Sequence, residues 1–277
     1  AQAVASALAT VAAGPFTDLP DPQGVVHAAN AAIRAAYDRL KIAEPDLQSG
    51  RVGFRAAFSA AFITADTVRL VALGDCTIRV NGKTVLEHHF PGDTVLAKAR
   101  SVAWAILLEK ALPVDELRPI ARQLIVQGTS AAKVPPAPLT ADDVARIVAE
   151  VRSDALSLEA CHQDLALVDL VLNAGLEGIR ADAARFNAIA LDGVTDTAHA
   201  ARVLDLPRAE IETLELTTDG YPAQPETVSL SAWEEALAEA DRTDPDRIGA
   251  FASTKGRVGK NFGDDRSILI VSAGNIT

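Results

Sequence analysis

The chain is short of several things. It has no methionine, two cysteines and only 4% aromatic residues in 277. Cys76 and Cys161 are far apart, so they form neither a disulfide framework nor a paired zinc-ligand motif. Two unpaired thiols point to a reducing cytoplasm. Basic residues are outnumbered, 26 against 37 acids, and the net charge is −11. A nucleic-acid partner is excluded on that balance, because phosphate binding needs clustered Lys and Arg. An acidic surface can instead attract cations where acids gather. No apolar run approaches the roughly 18–20 residues of a membrane span. The opening AQAVASALATVAAG is Ala-rich. It lacks the basic region of a signal peptide and reads as a helix. Methionine is missing even from the first position, and no strand precedes the first helix. The expectation is a sequence that begins inside a longer gene product.

What is present is ample apolar material. Hydrophobic residues make up 49% of the chain, enough for one large core with insertions, and a single domain over 1–277 is expected. Residues 2–13 read as a helix. Residues 24–40 read as a better one, with Val25, Ala28, Ala29, Ile33, Ala36 and Tyr37 on one face. The period then changes to two. Ala56–Ile63, Thr67–Leu73, Cys76–Val80 and Lys83–Glu87 read as strands, the last two joined by the hairpin signal Asn81-Gly82. They predict an antiparallel meander. A helical middle follows over about 94–180, with a loop at 128–138 and a helix capped by Thr140. FNAIALDG (186–193) and EIETLELTTDG (210–220) read as strands, with DTAHAARVL between them as a short helix or a pairing segment. A capped helix over 229–245 and a strand at Ser267–Val271 close the chain. Blocks of antiparallel strands alternating with blocks of helices define an α+β class.

Three acidic positions share one local design. Asp75 follows the strand LVALG, Asp219 follows LELTT, and Asp264 with Asp265 precedes SILIV. A glycine adjoins each: Gly74, Gly220 and Gly263. Hard cations such as Mg²⁺ and Mn²⁺ prefer carboxylate oxygens and keep several waters. Short Asp side chains at rigid strand ends suit them, and a neighbouring glycine leaves space for water or substrate. Taken one at a time, an Asp beside a Gly at a strand end is first of all a turn. The metal reading rests on the three occurring together and in order.

That order resembles the metal-dependent Ser/Thr protein phosphatases of the PP2C type. The motifs that carry the resemblance are Leu73-Gly74-Asp75-Cys76, Leu216-Thr217-Thr218-Asp219-Gly220 and Gly263-Asp264-Asp265-Arg266-Ser267. FNAIALDG and the segment with Asp244-Pro245 and Thr254-Lys255-Gly256 look like a bacterial branch of that family. The resemblance covers roughly residues 50–90 and 185–272. It implies a four-layer αββα sandwich with metals at one end of two antiparallel sheets. It implies two Mg²⁺ or Mn²⁺ ions, with Asp219 and Asp264 as ligands and Asp75 at a further metal position; Asp265 is the neighbour that could replace Asp264. The activity it implies is hydrolysis of phosphoserine or phosphothreonine in a phosphorylated protein by metal-activated water. No covalent intermediate, and so no catalytic nucleophile in the chain, is implied. The family's N-terminal phosphate-binding Arg, its acidic motif and its first Asp-Gly have no counterpart here. The chain is therefore expected to lack those N-terminal strands. Asp192-Gly193 stands in the wrong place for that motif and reads as a β-turn. The competing reading is a degenerate binding or regulatory module of the same fold. A carboxylate-based metal hydrolase on another fold is a third.

Other chemistry is weakly signalled. His27, His88, His89, His162 and His199 fall in no zinc-ligand spacing. Ser59, Ser229 and Ser231 lack a nucleophile-elbow context. GRVGKNFG (256–263) is Gly-rich and basic, but it lacks a phosphate-loop motif. Lys255, Arg257 and Lys260 could attract a phosphorylated substrate. Trp104 and Trp233 read as core residues and Cys76 as a small packed residue in a strand.

Overall fold

A computed structural model describes residues 2–12, 18–48, 53–183, 185–257, 263, 266–272 and 274. The chain is α+β, with two antiparallel sheets and, among the described residues, nine α-helices. It divides into two compact units. One comprises Ala1–His88, Ile189–Trp233 and Arg266–Thr277; the other comprises His89–Ala188 and Glu234–Asp265.

The first unit carries every strand among the described residues. It opens with α1 (Gln2–Ala12), α2 (Pro22–Leu40) and α3 (Glu44–Gln48). Helix α2 starts where the sequence supplies both a cap and a stop. The Asp21 carboxylate accepts from Gly24 N at 2.9 Å, and Pro22 occupies the first turn, where its missing N–H costs nothing. The first sheet has the order β1 (Phe58–Ile63), β2 (Thr67–Leu73), β5 (Arg202–Pro207). The second has the order β4 (Lys83–Leu86), β3 (Thr77–Val80), β6 (Thr213–Thr217), β7 (Ile268–Ser272). Strand alternation then sorts the side chains. Val68, Leu70 and Ala72 of β2 join Ile78, Val80, Leu214 and Leu216 of the second sheet in one apolar cluster. Val71 and Leu73, of opposite parity, pack with Val25, Ala29, Ile33 and Tyr37 of α2. Strand β2 is thus buried on both faces, which is why it reads as nearly continuous apolar sequence.

Two sequence expectations need correction. The strands of 56–89 are not a single meander: β2 pairs with β1 and β5, whereas β3 pairs with β4 and β6. The chain changes sheets at Gly74–Cys76. Gly74 has φ +82, and a Cβ there would lie 2.6 Å from that of Ala57. Only glycine fits such a corner, and it separates two apolar strands that periodicity alone would pair. FNAIALDG is also not a strand. Its one pairing is an isolated bridge between Leu191 and Ala56. The Asp192-Gly193 turn holds as read. The Asp192 carboxylate accepts from Val194 N, Thr195 N and the Thr195 hydroxyl at 2.7–2.8 Å.

The second unit is helical: α4 (Pro91–Glu109), α5 (Val114–Gln127), α6 (Ala141–Arg152), α7 (Ala155–Ala160) and α8 (Leu165–Ala181), with part of α9 (Leu230–Thr243). Its core includes Trp104, Leu107, Leu117, Leu124, Ile147 and Val168. Thr140 caps α6 as expected, within a reciprocal box with Asp143. Helix α8 breaks at Gly175 (φ +63), where a Cβ would lie 2.7 Å from Val126 O. The charges after α9 are tied down. Asp244 accepts from the backbone N–H groups of Ile248, Gly249 and Phe251 at 2.9–3.0 Å. Arg118 grips Asp246 with two donors, at 2.6 and 3.1 Å. Buried Arg100 donates to the carbonyls of Arg247 and Ser253.

Candidate functional site

The site region is one end of the two sheets in the first unit. Strands β3 and β6 are antiparallel with Thr77 opposite Thr217. Continuing that register by two residues sets Asp75 opposite Asp219. Both acids therefore leave adjacent strands at the same end. The other edge of β6 is pinned to β7. Thr218 N donates to Ser267 O at 3.1 Å, and Ser267 N donates to the Thr218 hydroxyl at 2.9 Å. Extending this pairing sets Arg266 opposite Asp219. Asp264 and Asp265, as well as Lys260, lie outside the described residues.

Beneath the acids the strands are held by a buried charge. Glu215 and Arg79 face each other across β6 and β3, with Arg79 Nη1 3.3 Å from Glu215 Oε2. The Trp233 indole N–H donates to Glu215 Oε1 at 2.7 Å, and the Arg79 guanidinium lies 5.3 Å from the centre of the Trp233 ring. Tyr221, two residues past Asp219, packs edge-on against the same ring. These contacts set the course of β3, β6 and the Asp219 turn, with Arg79, Glu215 and Trp233 buried away from water.

Cys76, next after Asp75, is buried at the corner. Burial first, and then the negative charges of Asp75 and Asp219, push its thiol up to about 12; Arg202 and a Ser59 hydrogen bond act in the other direction. The thiol thus registers both carboxylates at once, and at neutral pH it is a protonated, packed side chain.

Two residues that the sequence reading passed over complete the end of the sheets. Arg202 opens β5 and donates from Nη2 to Gly74 O at 2.5 Å, holding the corner that carries Asp75. Its Nη1 is buried without a hydrogen-bond partner among the described residues. Burial pulls the guanidinium below its usual range, while Cys76, Asp75 and Glu87 oppose that pull. Glu87, just past β4, accepts from Gln224 Nε2 at 2.9 Å. The signal for Arg202 lay in the parity of RVLDLP. Arg202 shares its face with Leu204 and Leu206 of the inter-sheet cluster, while Val203 and Asp205 are exposed on the other. That pattern becomes visible only once the segment is known to be a strand.

The structure brings Asp75 and Asp219 to one end. Among the described residues, no group of three or more His, Cys, Asp or Glu is arranged to hold a metal ion. His27, on α2, faces Asp196 at 3.3 Å. Trp104, Trp233 and Cys161 are buried, as core residues should be. Among the described residues, no helix is long and apolar enough to cross a membrane. Comparison with known proteins returns no matching family model, no matching curated protein and no matching solved structure.

Proposed function

We propose that the chain is a PP2C-like, metal-dependent phosphoprotein phosphatase whose site lies at the Asp75–Asp219 end of the sheets. The observation that carries this reading is the β3–β6 register, which sends two strand-end carboxylates out together. The four-layer αββα arrangement, a cytoplasmic location and a phosphoserine or phosphothreonine substrate belong to the same reading. Two carboxylates whose fields both reach Cys76 are hard donors in a region of negative potential, which suits Mg²⁺ or Mn²⁺. Asp219 and Asp75 would hold the metal, and Asp264 is the third ligand that the reading assigns. When bound, such ions lower the pKa of water and neutralise phosphate charge. The chain's own part is positioning. Arg202 fixes the Gly74 corner, and the Thr218–Ser267 pair fixes the root of the Asp219 turn.

The test is hydrolysis of a generic aryl phosphate by this chain with Mn²⁺ and then with chelator. Mn²⁺-dependent turnover that falls at least about a hundredfold in Asp219→Asn is the expected result. Turnover indifferent to chelator, or to that substitution, would sink the reading. One observation favours the second reading, a binding module of the same fold. The Arg202 guanidinium, in the field of Asp75, offers a fixed cation where a metal would otherwise be needed. Phosphopeptide binding without turnover, undiminished by chelator, would select it.

A further inference from the structure

We propose that the groove between α6 and the segment 128–135 of the helical unit binds a medium-chain fatty-acid anion. This inference is independent of the phosphatase reading. The cavity measures about 470 Å³, within the range of small-molecule sites. Its α6 wall is formed by Val144, Ala145 and Val148, and the facing wall by Leu124, Val134 and Pro135. Ala145 and Ala149 follow each other by one turn and leave a slot along the helix. Ile147 and Val151 are fully buried in the core, while Val144 and Val148 are only partly buried at its edge and also line the groove. Val134 is 85% exposed beside the groove, an apolar surface that a bound chain would cover.

Charge selects the ligand. The chain carries −11 overall, yet among the described residues lining the groove the charged ones are Lys133 and Arg152. Lys133 Nζ is satisfied by a neutral group, the Gln127 carbonyl at the end of α5. Arg152 reaches Asp169 only through Nε, at 3.6 Å, beyond hydrogen-bond length. Its Nη1 and Nη2 have no partner among the described residues, and together they form a fork that matches a carboxylate. From Ala141 to Arg152 the helix runs about 16 Å at 1.5 Å per residue, roughly the reach of an extended chain of about ten to twelve carbons. A carboxylate at Arg152 with its chain lying toward Ala141 satisfies both the charge and the apolar wall.

Isothermal titration of the full chain with octanoate, decanoate and dodecanoate, each below its micelle concentration, tests this. Affinity should rise about fourfold per added methylene. Decylammonium should bind at least about tenfold more weakly than decanoate, and Arg152→Ala should weaken decanoate by a similar factor. Ala145→Trp should abolish binding of every chain length. The chain-length series uses the native protein and stands even if a variant folds poorly. No decanoate binding, no dependence on chain length, or equal affinity for decylammonium would each overturn the proposal.

Discussion

The first unit contains two Asp-Gly dipeptides that look alike on paper and behave differently in the fold. Asp192-Gly193 is closed on itself. Its carboxylate accepts three hydrogen bonds from Val194 and Thr195, and Asn30 Oδ1 accepts from the backbone N–H groups of both Asp192 and Gly193. Asp219-Gly220 instead follows β6, and the β3 register sets Asp219 opposite Asp75. The first acid shapes its own loop, so its role is conformational. The second sits where two strands and a sheet-to-sheet corner end together, so its field reaches Cys76 and meets that of another carboxylate. A dipeptide motif therefore says little until the register of its neighbours is known.

The sharpest way to break this contrast is to exchange the consequences of the two acids. Asp219→Asn should cost at least about a hundredfold in Mn²⁺-dependent hydrolysis. Its effect on stability should be smaller than that on activity, because the residue is exposed. Activity and urea denaturation on the same sample separate the two effects. Asp192→Ala should do the reverse. Removing a carboxylate that caps three donors should destabilise the chain by about 2 kcal/mol, with turnover preserved. If Asp192→Ala removes activity and Asp219→Asn does not, the contrast has been read backwards.

A control in the helical unit comes next in size. Thr140→Ala removes the cap of α6 and should cost about 1 kcal/mol. Hydrogen exchange should rise at the start of α6 and stay unchanged along β3 and β6.

The finest measurement is a pH titration in chelator. A Cys161→Ser background isolates Cys76. Its folded pKa is raised from the ordinary thiol value of 9.0 to about 12. Between those values the unfolded chain has lost a proton that the folded chain keeps. The contribution to stability is thus complete below about pH 9 and lost as pH rises toward 12. Thiolate absorbance should show Asp75→Asn and Asp219→Asn each lowering the folded pKa by a small step, since burial is the larger cause. Asp192→Asn should leave it unmoved. An Asp219→Asn variant with an unshifted thiol would mean that Asp219 and Asp75 do not share one end.

Much of this molecule is written locally. Pro22 behind Asp21 and Thr140 ahead of Asp143 each act on their immediate neighbours. Such elements are legible because their hydrogen bonds close within a few residues. The apolar run of β2 likewise announced a strand. It could not announce its partners, because a strand buried on both faces carries no parity to say which sheet lies where. The sheet change at Gly74, the failure of FNAIALDG to pair and the arrival of Arg202 at the Asp75 corner all depend on contacts between residues far apart in sequence. The acids were legible as an ordered set at strand ends. That Asp75 and Asp219 leave the fold side by side was decided by the pairing of β3 with β6 across more than a hundred intervening residues, because registry between distant strands is a property of the packed core and not of either strand alone.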